Sequence, residues 1–406
     1  MDRIQNKSVR NAIYVGTLCS VSYLAVYVAR NILGAVSPQM IAEGGFTTEY
    51  IGRVSSVYFI CYAVGQLING AIGDKIKARW MISGGLFLAG ITNLLFAHLG
   101  AQYPNAAVAV YGMTGFFLSM IYGPLTKVVA ENTDPKYTHR CSLGYTFASF
   151  LGSPLAGMIA AYFAWQSVFE VSSVILAVMA VVSFGVFFGF EKSGIIRYHQ
   201  YKRAKEQGGS IKVLIEHRIV KFTLVSVLTG VVRTSVVFWL PTYISQYLGF
   251  SSSSAAKIYT VATFVISMTT FVAVFVYERL NRDMDKTILL MFSVSVCCFA
   301  AVYFVHAPML NIVLMIAAIM SSNGAASMLW SRYCPSLRDT GMVSSATGFL
   351  DFMSYMAASV ASSAFANAVS QIGWQNLILV WIALMAVGVV VALPHERLWK
   401  KQKQGG

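Results

Sequence analysis

The chain has 406 residues, 57% of them hydrophobic and only 11% charged, with a mean hydropathy of +0.64 and a formal net charge of +14. A soluble globular protein carries roughly a quarter charged residues, so this balance excludes one and places the chain in a membrane. The basic excess does not mark a nucleic-acid binder: 25 of the 30 Lys and Arg residues lie in the two tails and in the loops after even-numbered apolar segments.

Twelve apolar segments begin near Asn11, Glu49, Trp80, Ala106, Cys141, Ser167, Val220, Ala255, Thr287, Met309, Gly341 and Leu377. Each is long enough for a ~30 Å hydrocarbon core, which takes about 20 helical residues. The expected fold class is therefore an all-α membrane protein with twelve transmembrane helices. Lys and Arg concentrate on the cytoplasmic side of membrane proteins, which puts both termini inside and leaves the basic loops facing anionic lipid heads. The first segment has no small-residue cleavage site and reads as helix 1 rather than a signal peptide. The six cysteines show no CxxC spacing and read as buried small hydrophobes. No HExxH, P-loop or GxSxG occurs, so no metal, cofactor or enzyme chemistry is expected.

In chain order, helix 1 carries Arg30, eight residues before Pro38; the turn Gly45-Phe46-Thr47-Thr48 follows, with Arg53 at the start of helix 2. The loop after helix 2 reads Gly70-Ala-Ile-Gly-Asp74-Lys75-Ile-Lys77-Ala-Arg79, helix 4 carries Lys127 near its inner end, and helix 6 opens with Trp165-Gln166. A basic polar stretch from Glu191 to Lys221 then divides the chain. Beyond it the plan repeats: Arg233 and Pro241, Gly249-Phe250-Ser251-Ser252, Lys257, and Trp374-Gln375 match the first-half landmarks at offsets of 203, 204, 204 and 209. The expected organisation is a six-helix bundle over 1–190, a cytoplasmic linker over 191–217, a second six-helix bundle over 218–395 and a tail over 396–406. Two six-helix units in the same orientation, related by an axis along the membrane normal, resemble the plan of the major facilitator transporters. The loop after helix 2 is similar to that family's Gly-x-x-x-Asp-Arg/Lys-x-x-x-Arg signature. The resemblance gives Asp74 and Arg79 a conformational gating role, with Lys127 as a further gate or topology charge.

The two arginines carry the functional expectation. At 1.5 Å per residue, Arg30 lies about 12 Å from the outer helix end and Arg233 about 18 Å from inner Lys221, so both sit near the midplane. A charge there costs at least ~2.5–3.5 kcal/mol and must face the protein interior with a partner. One alternative is an arginine locked to an internal carboxylate, for which Asp351 in helix 11 is the one deep candidate. The other is an anionic ligand gripped by two guanidinium forks, which lysines cannot reproduce. Two midplane arginines against one carboxylate favour the ligand, and a two-fold axis between the halves would face Arg30 and Arg233 into one cavity.

The stretches Tyr27-Val-Ala-Arg30-Asn31, Gly52-x-x-x-Ser56 through Tyr62-Ala-x-Gly65-Gln66-x-x-x-Gly70, and Ala78-Arg79-Trp80 resemble the organophosphate:phosphate antiporters. Arg233 through Trp239-Leu-Pro-Thr-Tyr243, Ala346-Thr-Gly-Phe349 and Gly373-Trp374 extend the likeness over nearly the whole chain. That family includes glycerol-3-phosphate, hexose-phosphate and glucose-6-phosphate transporters. The resemblance implies that Arg30 and Arg233 bind the phosphate group, and that Tyr27 and, one turn further, Tyr23 belong to the site, with Trp239 and residues of helices 5 and 11 shaping the rest.

Departures are informative. The family's usual lysine is Gln66, its second basic residue is Asn31, the helix 5 histidine of the glycerol-3-phosphate transporters is Ser149, and Asp351 replaces a small residue. Around the site these changes remove positive charge and add negative charge, which points away from a doubly charged ester and towards a singly charged organic acid or proton coupling through Asp351. The expectation is a monomeric secondary transporter of a small organic anion in a bacterial inner membrane, a phosphorylated metabolite or related organophosphate that can exchange for phosphate. Two alternatives stay open: a proton-coupled symporter of a carboxylate or sugar acid, in which Asp351 is a proton carrier or counter-ion, and a sugar-phosphate sensor of the same fold. Tyr58 and Tyr62 share a face of helix 2 and either touch substrate or pack.

Overall fold

The computed structural model describes residues 2–73, 76–198, 215–337 and 343–393, and among them every regular element is helical. The first half consists of α1 (Asp2–Ala42), α2 (Thr48–Gly73), α3 (Ala78–Leu99), α4 (Pro104–Asn132), α5 (Pro135–Tyr162) and α6 (Trp165–Lys192). Then come α7 (Ile219–Gln246), α8 (Ser252–Arg279), α9 (Met284–Phe304) and α10 (Pro308–Tyr333). The last helical run, Val343–Ala392, breaks at Gly373 (φ 78°, ψ 169°) into α11 (343–372) and α12 (374–392). Ten helical runs among the described residues are long and apolar enough to cross a membrane, one of them the run broken at Gly373; with that run divided in two and the shorter apolar stretch Phe147–Tyr162 of α5 added, they correspond to the twelve expected segments.

The internal repeat extends to turn chemistry. Gly45 and Gly249 take left-handed backbone conformations (φ 69° and 77°), which would strain any residue with a Cβ. Immediately after them, the N–H of Phe46 reaches back six positions to the Met40 carbonyl (3.2 Å) and that of Phe250 six to Ile244 (3.3 Å), so both helices end on a left-handed glycine with the same closure. Thr47 Oγ1 then accepts from Tyr50 N–H (3.2 Å) and Ser251 Oγ from Ser254 N–H (3.3 Å), capping α2 and α8 in the same way. Equivalent residues in the two halves thus perform equivalent backbone tasks.

Backbone contacts divide the chain into two compact units. One comprises α1–α6 together with Val237–Ser267 and Ser359–Ser370. Small residues set its helix crossings. A Cβ on Gly152 of α5 would meet Tyr27 of α1 at 2.4 Å, one on Gly34 would meet Phe238 at 3.0 Å, and one on Gly52 would meet Ala366 at 2.4 Å. Where α2 meets 359–370, serines exchange bonds: Ser56 Oγ donates to the Ser359 carbonyl (2.5 Å), Ser359 Oγ to the Ser56 carbonyl (2.9 Å), and Ser56 and Ser363 share a 2.8 Å hydroxyl pair.

In the other unit, α7 up to Val236 packs with the end of α8, α9, α10, α11 up to Ala358, and α12. Ser226 Oγ donates to the Leu350 carbonyl and Ser235 Oγ to Ala358, both at 2.7 Å, which fixes α7 against α11. Asp285 of α9 receives Arg218 (2.8 Å) and Lys221 (3.1 Å), closing one end with paired charge.

Candidate functional site

Tyr23, Tyr27 and Arg30 recur at helical spacing and so occupy one face of α1. Arg30 Nη1 donates to Tyr27 Oη at 3.4 Å, and its guanidinium carbon lies 5.1 Å from the Tyr27 ring centre and 5.3 Å from that of Tyr62. The faces of both rings carry partial negative charge and help to hold the cation within the protein. Tyr27 is fixed by the close approach of Gly152 and by Asn31, whose Nδ2 donates to the Tyr27 carbonyl at 2.6 Å. Tyr23 is buried behind it, edge-on to Tyr27 at 4.9 Å and near Tyr122 (5.4 Å) and Tyr145 (6.1 Å).

Gln66 is half-buried one turn from Tyr62 on α2, and Ser149 is half-buried one turn from Tyr145 on α5. Helical spacing therefore aligns both with members of the aromatic group. Trp239 is 1% exposed, and its indole N–H donates to the Ser362 carbonyl at 3.2 Å, so it is committed to helix packing. Tyr58 is likewise buried, against Tyr111 and Tyr62, and belongs to the core of this unit.

The second arginine has different company. Arg233 lies in a π-helical turn, Val231–Val236, inside α7. A second π turn, Leu329–Tyr333, ends α10 and carries Trp330, whose ring centre is 6.0 Å from the Arg233 guanidinium. π turns insert one extra residue into a helix, re-aim its side chains, and occur disproportionately at functional sites. On α11, Asp351 Oδ1 lies 3.8 Å from Arg233 Nη2, Ser354 Oγ accepts from the same nitrogen at 3.5 Å, and the Tyr355 ring centre is 5.9 Å away. Arg233 and Asp351 are each about a third exposed (32% and 33%). A guanidinium has five N–H donors, and among the described residues Arg233 uses one of them in a single long hydrogen bond.

Sequence reasoning anticipated Arg233 and Asp351 but not Ser354, Tyr355 or Trp330. Ser354 and Tyr355 follow Asp351 at i+3 and i+4 and could have been found by extending its helical face. Trp330 had no such signal, because a π turn breaks the period. No group of three or more metal-ligating side chains occurs among the described residues.

The Major Facilitator Superfamily profile matches residues 19–362. The chain belongs to that superfamily. Similar proteins include a glycerol-3-phosphate transporter of Bacillus subtilis (strain 168), 22% identical over 95% of this chain and 91% of the relative. The membrane sensor protein UhpC of Escherichia coli (strain K12) is 22% identical over 92% and 89%. Among solved structures, an inward-facing, unoccupied bacterial homolog of the human lysosomal transporter Spinster superposes with a TM-score of 0.76 at 11% identity, covering 94% of this chain and 96% of that one. A D-xylose-proton symporter superposes with a TM-score of 0.72 at 12% identity, covering 94% and 96%. These two likenesses show the fold.

Of the facilitator signature after α2, Asp74 lies outside the described residues, and Arg79 is enclosed. Arg79 Nη1 pairs with Glu191 Oε2 at 2.9 Å, with side chains only 12% and 15% exposed, and the guanidinium lies over the rings of Trp80, Phe184 and Phe188. Tyr198 Oη donates to the other oxygen of Glu191 at 2.8 Å. Burial and that bond to a carboxylate push the Tyr198 hydroxyl above its ordinary pKa. In this facilitator Arg79 therefore ties the start of the polar linker to α3 and α6. Lys127 is half-buried on α4, one turn before Glu131, whose carboxylate oxygens are buried with no hydrogen-bond partner among the described residues.

Proposed function

We propose that this facilitator is a secondary transporter of a small organic anion, a phosphorylated metabolite exchangeable for inorganic phosphate, that works by alternating access. Arg30 and Arg233 are its anion ligands, one from each half; Tyr27 and Tyr62 flank the first, and Gln66 and Ser149, each one helical turn from a member of that aromatic group, complete the proposed binding set. The observation that carries the reading is the state of Arg233. Its fork is re-aimed by a π turn, a third exposed, and joined to Ser354 by a single long bond. A phosphate or carboxylate supplies two acceptor oxygens at the spacing of that fork, the arrangement such a donor set lacks. The similarity to a glycerol-3-phosphate transporter supports a phosphate ester. The Lys and Arg bias supports cytoplasmic termini, and the similarity to bacterial proteins supports a bacterial inner membrane.

The test is counterflow in proteoliposomes preloaded with inorganic phosphate, using labelled glycerol 3-phosphate, glucose 6-phosphate and a carboxylate such as glucuronate. Exchange of a phosphate ester that is strongly weakened in Arg30→Lys and Arg233→Lys supports the proposal; exchange unaltered in both variants refutes it. Saturable binding of an ester without flux would instead favour a sensor, the role named for the UhpC relative.

A further inference from the structure

We infer that Asp351 occupies Arg233 whenever substrate is absent, and that this internal counter-anion lets the unloaded carrier return, so that the protein performs net transport and not only exchange. The inference rests on the transporter reading above and extends it to the coupling of the cycle.

Three interactions flank the pair and hold α11 in register on α7. Ser226 Oγ binds the Leu350 carbonyl, Ser235 Oγ binds the Ala358 carbonyl, and between them Gly230 leaves room for Ser354, whose Oγ would lie 2.2 Å from a Cβ at that position. Asp351 is thereby kept beside the guanidinium rather than swinging freely. Yet the pair is a loose one. The closest oxygen is 3.8 Å from Arg233 Nη2, beyond hydrogen-bond distance, and both side chains remain a third exposed. Such a carboxylate cancels the charge of Arg233 without saturating its donors. An incoming oxyanion can take the fork, because it offers Arg233 hydrogen bonds that Asp351, 3.8 Å away, does not.

The consequence concerns the empty carrier. To reorient, the site must pass through a state closed to water on both sides, where an unpaired guanidinium is strongly disfavoured. Without an internal anion, only the loaded site would be neutral enough at Arg233 to pass, and transport would be strict exchange. With Asp351 in place, Arg233 is compensated in the empty site as well, and Arg30 keeps the Tyr27 and Tyr62 rings over which it lies, so the carrier can return unloaded.

Proteoliposomes decide the matter with two measurements on one preparation. Exchange is measured with phosphate inside, and net uptake with no counter-substrate inside, using glycerol 3-phosphate or glucose 6-phosphate, whichever exchanges. Wild-type protein is expected to show both. In Asp351→Asn net uptake should fall by at least about tenfold, the effect of leaving one buried charge without its partner. Exchange should persist in that variant with a lower half-saturation concentration, because a competitor for Arg233 is gone. Asp351→Glu should restore net uptake. Wild-type vesicles that take up ester only when preloaded overturn the inference but leave the transporter reading intact. So does undiminished net uptake in Asp351→Asn, or joint loss of both activities in a variant that remains monodisperse. Vesicles that exchange neither ester overturn the underlying reading instead.

Discussion

The serine contact between α2 and α11 invites a direct perturbation. It joins a first-half helix to a second-half helix at the ends that the charge bias assigns to the outside, and alternating access requires it to part. Ser56→Ala removes the bond to the Ser359 carbonyl (2.5 Å), the hydroxyl pair with Ser363 (2.8 Å) and the acceptor for Ser363 N–H (3.1 Å). At about 0.6 kcal/mol for each hydrogen bond between membrane helices, the loss is roughly 1–2 kcal/mol. Gly52→Val is harsher. Its Cβ would lie 2.4 Å from Ala366 Cβ, 3.1 Å from the Ser362 carbonyl oxygen and 3.5 Å from Ser363 Cα, none of which is the far end of a flexible side chain. Overpacking of this kind costs about 1–3 kcal/mol, enough to move a two-state equilibrium roughly fivefold to a hundredfold. A cysteine at Ala256, 1% exposed on α8 and facing Gly157, reports on the neighbouring contact. In cells treated with a membrane-impermeant maleimide, labelling above the native-cysteine background should rise modestly with Ser56→Ala and strongly with Gly52→Val, while transport falls. Parental labelling together with full transport in Gly52→Val would refute the reasoning.

Arg30→Lys and Arg233→Lys should each raise the half-saturation concentration for exchange by about tenfold or more without reducing membrane insertion, since the charge survives but the fork does not. Glu191→Gln leaves Arg79, only 12% exposed, without its carboxylate and should cost about 3–5 kcal/mol, read as a lower unfolding midpoint in detergent; an unchanged midpoint would contradict the pairing. Asp283 caps α9 by accepting from Lys286 N–H at 3.0 Å, which with the Lys286 ammonium holds its carboxyl below the ordinary value. Asp283→Ala should therefore cost about 0.5–2 kcal/mol at neutral pH. That stabilisation is present above the ordinary carboxylate pKa and disappears as pH falls through the depressed one, so the two proteins should converge in acid.

The sequence by itself determined the number of crossings, the two-fold internal repeat and the identity of the two cations within apolar helices. Each is a one-dimensional property: an apolar run must match the bilayer thickness, and an arginine inside such a run must find a partner whatever the fold. Turn chemistry was legible for the same reason, because Gly45 and Gly249 act on neighbours within six residues. The resemblance to phosphate-ester transporters added the tyrosines of α1. What surrounds each arginine was decided by tertiary structure. Tyr62 approaches Arg30 from another helix, and Ser354, Tyr355 and Trp330 reach Arg233 from two others. The rotation of each helix about its own axis selects those partners, and it is set by close contacts such as Gly152 on Tyr27 and Gly230 on Ser354. Trp239 shows the same dependence: a site residue by sequence position, it is turned into the packing by the Ser362 carbonyl it binds. In an apolar helix every face is hydrophobic enough for lipid, so the side that meets protein is chosen by the fit of small residues against neighbouring backbones, which no pattern along the chain records.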